Sequence, residues 1–192
     1  MNTRKTVLTA LFASLIIVGA YIRFPLPPVP ITLQTLFVIS AALLGGTAIG
    51  IGSVSIYLLL GAVGLPVFTA GGGLGILLGP TGGFLFGLLP AALLAGIAGN
   101  YVKNLQPEQA DNPKHKRTYL TLSIFFGIMA TLAIYLVGVP FLKYNRSLSW
   151  KVAIQVGMLP FLIGDTIKLI VSVQLSQMFA PKVKEFLQGD DH

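Results

Sequence analysis

The sequence contains no cysteine and very few charged residues. Charged side chains make up 10% of the 192 residues, whereas hydrophobic side chains make up 54%. A soluble domain carries about 25% charged residues, and so few charges cannot cover a folded surface in water. The surface is therefore expected to face lipid. At roughly 20 residues per helical span, a chain of this length holds about six spans in one domain.

Other absences exclude whole classes of chemistry. Without cysteine there is no disulfide, no thiolate metal site and no catalytic thiol. The two histidines are His115, in a polar segment, and the terminal His192, which argues against an intramembrane Ser–His hydrolase. The sequence also lacks an H-E-x-x-H motif, a carboxylate cluster and a nucleotide-binding motif. We therefore predict no enzymatic activity, no cofactor and no metal site, and any active uptake needs a partner or an ion gradient.

Glycines and prolines divide a long uncharged region into separate spans. Arg23 is the last charged residue before Lys103, and this region is too long for one span. The segment 23–31 holds four prolines and cannot be helical throughout. We predict an all-α integral membrane protein, a six-helix bundle with a Gly-rich outer loop, forming a single membrane domain over residues 1–192. The predicted spans are about 5–22, 32–45, 47–63, 84–101, 119–139 and 151–178.

Six spans place both termini on one side of the membrane. Basic residues at the termini and in the loop 103–117 outnumber those on the other face by eight to four. This bias favours cytoplasmic termini in a cell membrane, and a bacterial plasma membrane is expected. The segment 23–31, the Gly-rich loop 64–83 and the loop 140–149 then share the outer face. The scattered net charge of +7 indicates contact with anionic membrane lipid and no nucleic acid partner.

Asp165 and Lys168 are the ionisable residues that lie well inside a predicted span. They are three residues apart in the last span and so share a helix face. On insertion scales, each costs about 2.5–3.5 kcal/mol at the bilayer centre. The pair either neutralises itself as a structural ion pair or marks a polar ligand site, as intramembrane ionisable groups usually do. We predict a ligand site.

The loop 64–83 is rich in glycine and carries no charge. It matches neither the dinucleotide-binding pattern nor the P-loop. Since it is apolar, it is expected to dip into the protein, where irregular backbone is tolerated when it is buried or lines a cavity. A flexible loop is the alternative, and we predict a lid over a pocket.

Further candidates for ligand contact come from the second, third and fourth spans. Gln34 offers an amide donor and acceptor, although such a residue also caps a helix end. Tyr57 and Phe84 offer aromatic walls, although a single aromatic in a span more often only packs. The full set of predicted substrate-binding residues is Asp165, Lys168, Gln34, Tyr57, Phe68, Gly72, Gly73, Thr81 and Phe84.

Small residues recur every fourth position on two spans. On the fourth span they run from Gly83 to Gly99, and on the first span they are Thr6, Ala10 and Ser14. Such stripes let helices approach closely. They serve either packing inside the bundle or docking of another membrane protein.

Four segments stand out when they are taken in order: V-P-I-T-L-Q-T at 29–35, G-A-V-G-L-P-V-F at 61–68, G-P-T-G-G-F at 79–84 and P-F-L-I-G-D-T-I-K at 160–168. Together they resemble the BioY family, the biotin-specific S components of energy-coupling-factor (ECF) transporters. The resemblance covers about residues 5–175. It implies a six-helix bundle that captures biotin at the outer face for uptake driven by a transmembrane coupling protein and two cytoplasmic ATPases.

The resemblance also implies roles for particular residues. The last motif is associated with biotin binding in this family, and it falls on Asp165 and Lys168. Phe84 stands where the family commonly has tyrosine, so the hydroxyl of that position is missing here. Small residues of the first helix contact the coupling protein in S components, which implies that role for Thr6, Ala10 and Ser14.

The hydrogen-bonding groups of biotin match those of the Asp165–Lys168 pair. The ureido ring offers two N–H donors and a carbonyl acceptor, which match a carboxylate and an ammonium. The biotin carboxylate is expected to meet either amides of the Gly-rich loop or Arg23. A rival hypothesis is a self-sufficient proton-coupled transporter in which Asp165 carries the proton.

Overall fold

The computed structural model describes residues 3–104 and 112–189, which are almost entirely helical. A short antiparallel pair of strands and one 3₁₀ turn, Leu159–Phe161, complete the fold. The strands are β1 (Arg23–Phe24) and β2 (Ile31–Thr32). The helices are α1 (Thr3–Tyr21), α2 (Gln34–Ala62), α3 (Leu74–Leu77), α4 (Gly82–Asn104), α5 (Pro113–Asn145), α6 (Trp150–Gly157) and α7 (Leu162–Gln188).

Five stretches of these described residues are long and apolar enough to cross a membrane. They comprise α1, α2, α4, α5 and the stretch Trp150–Gln188, which includes α6 and α7. Many large apolar side chains on these helices are exposed, including Leu59, Leu136 and Ile163. In water such a surface would aggregate, whereas in lipid it is solvated. The chain is a multi-pass membrane protein.

Helix α2 is folded back on itself at Gly46. Gly46 has φ 74° and ψ −178°, a conformation that L side chains rarely adopt. A Cβ atom added to Gly50 would lie 2.9 Å from Ala42 Cα, whereas residues eight apart in a straight helix are about 12 Å apart. Residues 34–45 and 47–62 therefore form two arms packed side by side.

Asn100 near the end of α4 closes the turn at Gly46. Its Oδ1 accepts from the Thr47 amide at 3.2 Å, and its Nδ2 donates to Thr47 Oγ1 at 2.9 Å. These bonds satisfy the first donor of the second arm, which has no partner within its own helix. The predicted tight turn between the second and third spans lies at this position.

Helix α1 packs along both arms and fixes the direction of each. The Leu33 amide donates to the Gly19 carbonyl at 3.0 Å, next to the start of the first arm. Ser53 Oγ in the second arm donates to the Thr9 carbonyl at 3.0 Å. One end of the bundle, the loop end, thus carries residues 21–33, 62–82 and 145–161, and the opposite end carries Gly46 and the start of α1.

The small residues of α4 pack inside the bundle. A Cβ atom on Gly87 would lie 2.9 Å from Ile134 Cα of α5. One on Gly99 would lie 2.9 Å from the Gly46 nitrogen. Ala91 and Ala95 are fully buried. Of the two interpretations of the α4 stripe, internal packing is the one that these contacts support.

Several predicted boundaries differ from the structure. Helix α5 begins at Pro113 and continues through Pro140 to Asn145, although 103–117 and 140–149 were expected to be loops; residues 105–111 lie outside the described part. The predicted span 151–178 is interrupted after Gly157 by Met158 and the 3₁₀ turn. Pro160 lies in this turn, where its missing N–H costs no helical hydrogen bond.

Candidate functional site

A cavity opens at the loop end between the strand region and four helices, α2, α4, α5 and α7. The cavity and its mouth together hold about 630 Å³ of space not filled by protein atoms. The lining combines apolar side chains with a few polar ones. The residues are Val29, Pro30, Thr32, Gln34, Thr35, Thr69, Thr81, Phe84, Leu85, Leu88, Ile134, Tyr135, Phe161, Asp165 and Lys168.

Asp165 and Lys168 lie one helical turn apart on α7 and line this cavity. Lys168 Nζ donates to Asp165 Oδ1 at 2.8 Å, and the side chains of Lys168 and Asp165 are only 8% and 13% exposed, respectively. The Tyr135 hydroxyl of α5 donates to Asp165 Oδ2. Both carboxylate oxygens thus have a partner, one from the same helix and one from the neighbouring helix α5.

The ion pair keeps hydrogen-bonding capacity for a ligand. An ammonium has three N–H donors, and in the described residues Lys168 uses one of them. A carboxylate accepts at about four positions, and Asp165 has two donors in the same part of the chain. The pair therefore presents both a donor and an acceptor to the cavity while it carries no net charge.

The start of α2 brings further polar groups to the cavity. Gln34 is buried and lines the cavity. Its backbone amide donates to Thr32 Oγ1. Its side-chain amide makes no hydrogen bond within residues 3–104 and 112–189. Thr35 Oγ1 is also buried without a hydrogen-bond partner there. Buried polar groups are rarely left unpaired, because the cost of desolvation is then not offset. These two groups thus have unused hydrogen-bonding capacity next to the cavity.

The remaining walls are apolar and tightly supported. Phe84 and Phe161 provide two aromatic rings, and Leu85, Leu88 and Ile134 add aliphatic surface. A Cβ atom on Gly138 would overlap the Phe84 ring, so this glycine lets Phe84 lie against α5. Such walls suit a ligand with an apolar body and few polar groups.

Comparison with known proteins agrees with this geometry. The family model described as "BioY family" matches residues 1–185. The chain belongs to the BioY family. A "Probable biotin transporter BioY" of Pyrococcus horikoshii is 36% identical, covering 92% of this chain and 96% of its own. The "Biotin transporter BioY" of Thermotoga maritima is 36% identical, covering 90% of this chain and 94% of its own.

A solved structure is similar to the whole bundle. It is the crystal structure of the S-component for biotin from an ECF-type ABC transporter. The TM-score is 0.75 at 28% sequence identity, and the match covers 92% of this chain and 90% of that one. The fold of this BioY-family chain is thus that of an S component.

Five of the residues predicted for ligand contact line the cavity of this BioY-family chain. They come from separate segments of the sequence, which only the folded bundle brings together. Ligand binding by these residues stays a prediction. The five are Gln34, Thr81, Phe84, Asp165 and Lys168.

The other four predicted contact residues do not line the cavity. Tyr57 and Phe68 are buried and pack edge to face, with ring centroids 5.2 Å apart and an interplanar angle of 83°. The Gly73 amide donates to the Gly61 carbonyl at 2.7 Å. Gly72 lies so close to the Leu65 carbonyl that a side chain would not fit. These residues shape the loop instead of the cavity surface.

Two residues of the predicted Gly-rich loop, Thr69 and Thr81, line the cavity, and a lid over the site stays a prediction. We refer to residues 64–81 as the cover. The cover includes α3 and is held at three backbone carbonyls: the hydroxyl of Tyr21 donates to Pro66, the guanidinium of Arg23 to Thr69, and Asn145 Nδ2 to Leu78 at 2.7 Å.

The sequence did not indicate several lining residues, of which Tyr135 is the most consequential. An isolated tyrosine in an apolar span is not distinguishable by sequence from a packing residue. Its partner Asp165 lies 30 residues away on another helix, so no local spacing connects the two. Thr35 has no signal of its own in the sequence beyond its place in the segment 29–35. Among the described residues, no group of three metal-ligating side chains was found.

Proposed function

We propose that this chain is the biotin-binding S component of an ECF-type transporter. The observation that carries the proposal is the Asp165–Lys168 pair, which α7 places in the wall of a cavity that residues of the cover also line. Relatives named as biotin transporters, and a similar structure of an S-component for biotin, support the choice of ligand.

In this proposal the ureido ring of biotin forms hydrogen bonds with Asp165, Lys168 and neighbouring side chains. A carboxylate oxygen of Asp165 accepts from a ureido N–H, and the Lys168 ammonium donates to the ureido carbonyl. The second ureido N–H is left for Gln34 or Thr35. In a site closed to water, such matched bonds discriminate strongly against ligands that lack the corresponding group.

The apolar part of biotin contacts the aromatic walls. Phe84 and Phe161 line the same cavity as the ionic pair and offer surface to the fused rings and the thioether. Phe84 has no hydroxyl, so its contribution is contact area. A ligand held in this way is recognised by its ring system, and the valerate chain extends toward the mouth.

The biotin carboxylate lies near Arg23 in this proposal. Arg23 is exposed, and its guanidinium bonds to the carbonyl of Thr69, a residue of the cavity lining. A guanidinium has five N–H donors, so capacity for a carboxylate remains. The loop amides are less suitable, because the Gly71 and Gly73 amides donate to the carbonyls of Phe68 and Gly61.

The two arms of α2 are proposed to cross the membrane separately, which makes six spans. The loop end then faces outward and both termini lie in the cytoplasm of a cell-membrane protein, consistent with the excess of basic residues near the opposite end. The proposed partners are a transmembrane coupling protein and two cytoplasmic ATPases. Thr6, Ala10 and Ser14 are exposed on one helix, which supports α1 as the docking surface.

Calorimetric titration of the purified full chain in detergent tests the ligand assignment. Biotin is expected to bind tightly at one site, whereas riboflavin, which lacks the thioether-fused ureido ring, is expected not to bind. Binding of riboflavin without binding of biotin would refute the assignment. Uptake into vesicles is expected only when the coupling protein, the ATPases and ATP are present, and uptake by the chain alone that an uncoupler abolishes would refute the S-component role.

A further inference from the structure

Tyr135 bonds directly to the ionic pair from another helix. Among the residues that the structure describes, it is the one cavity-lining side chain outside α7 that does so. Tyr135 is 6% exposed, and its hydroxyl donates to Asp165 Oδ2 of the neighbouring helix. Lys168 holds the other oxygen from within α7. The carboxylate is therefore held from two directions, and its rotation about the side-chain axis would break one of the two bonds.

We propose that Tyr135 is a positioning residue for biotin, which fixes the Asp165 carboxylate so that its free lone pairs face the ureido N–H. This proposal rests on the function proposed above. A carboxylate accepts a hydrogen bond well only along the directions of its lone pairs, so its orientation decides whether the ligand N–H is met. Tyr135 thus acts through Asp165, whereas the walls act by contact alone.

The geometry explains why a tyrosine, rather than a second cation, holds Oδ2. Lys168 already balances the charge of Asp165, and another buried cation would leave the cavity with a net positive charge and a large desolvation cost. A neutral hydroxyl orients the carboxylate without changing that balance. Tyr135 also forms part of the cavity wall, so replacement by phenylalanine removes the hydrogen bond and keeps the wall.

The experiment is a double-mutant cycle on biotin affinity, measured with radiolabelled biotin on the full chain in detergent. The variants are Tyr135→Phe, Asp165→Asn and the combination of the two. Tyr119→Phe is the matched control, because Tyr119 lies on the same helix, is buried and donates to the Leu43 carbonyl at 3.0 Å away from the cavity. Binding of biotin by the parent protein tests the proposed function separately.

Tyr135→Phe is expected to weaken biotin binding about tenfold in the parent background, in line with the loss of a bond to a charged group. In the Asp165→Asn background the same change is expected to have less than about a twofold effect, because the group that it positions is gone. Tyr119→Phe is expected to leave affinity unchanged. Equal losses in both backgrounds, or no loss in the parent, would overturn the proposal.

A second readout covers the case in which Asp165→Asn binds too weakly to measure. The antisymmetric carboxylate stretch of Asp165 is identified by infrared difference spectroscopy between the parent and Asp165→Asn. Tyr135→Phe is expected to shift this band, and Tyr119→Phe is expected to leave it in place. A band that stays unchanged in Tyr135→Phe would show that the hydroxyl does not position the carboxylate.

Discussion

Gly50 packs its backbone directly against Ala42, although the two residues belong to the same α2 element. A Cβ atom on Gly50 would lie 2.8 Å from Ala42 Cβ, which is closer than two carbon atoms approach without strain. The contact exists because Gly46 reverses the chain between them. The close packing of the two arms therefore depends on the absence of a side chain at position 50.

Gly50→Ala is expected to destabilise the protein by about 1–3 kcal/mol, because the added methyl group forces the two arms apart. The loss is measured as a lower thermal unfolding midpoint of the purified chain in detergent. Gly75→Ala is the control, since a Cβ atom at that position meets nothing within 4 Å. Similar midpoints for Gly50→Ala and the parent would contradict the close packing of the arms.

The ionic pair gives a prediction that separates structure from binding. Replacement of both partners, Asp165→Asn with Lys168→Met, is expected to restore much of the stability that either single change removes, because neither charge is left unpaired. Biotin binding is nevertheless expected to weaken in all three variants, and the loss of binding free energy in each single variant is expected to be about 2–5 kcal/mol. A double variant that folds normally and binds biotin as well as the parent would show that the pair is only structural.

Thr35 offers a test in which stability and affinity are expected to move in opposite directions. Its buried hydroxyl has no partner in the described residues, so Thr35→Val is expected to leave the thermal midpoint unchanged or to raise it. The same change is expected to weaken biotin binding about fivefold, the value of a typical neutral hydrogen bond. Ser40→Ala is the control, because the Ser40 hydroxyl is also buried without a partner in the described residues but does not line the cavity. An equal effect of both variants on biotin affinity would contradict a ligand contact at Thr35.

The exposed face of α1 leads to a prediction about transport. Ala10→Trp is expected to abolish ATP-driven biotin uptake by the full complex, because the large side chain prevents close approach of a partner helix. Biotin binding by the isolated chain is expected to remain, as Ala10 is not part of the cavity lining. Val18→Trp is the control, because Val18 is exposed on the same helix but lies nearer the loop end. Normal uptake by the Ala10→Trp variant would contradict a docking surface on α1.

The membrane class, most helix positions and the central pair could be predicted from the sequence, because each depends on local composition. Asp165 and Lys168 stand out as ionisable groups in an apolar span, and the glycines at 45–46 indicate a turn. The continuation of α5 through Pro140 was not predictable in this way. Proline is tolerated inside membrane helices when neighbouring groups satisfy the freed carbonyl, and this depends on tertiary packing.

The rest of the cavity could not be predicted, because it depends on how the helices are rotated against one another. Tyr135 bonds to Asp165 only because the face of α5 that carries Tyr135 is turned toward the face of α7 that carries Asp165. Tyr57 and Phe68 have the same apolar and aromatic character as true wall residues, yet they pack against each other instead. Sequence character alone does not distinguish these two outcomes.

The cover is held by bonds to its main chain. Tyr21, Arg23 and Asn145 all donate to carbonyl oxygens, those of Pro66, Thr69 and Leu78, and every residue type supplies such an oxygen. The side chains of Pro66, Thr69 and Leu78 can therefore be exchanged without loss of these accepting oxygens. Thr69, which also lines the cavity, can thus change with the ligand while its carbonyl still accepts from Arg23.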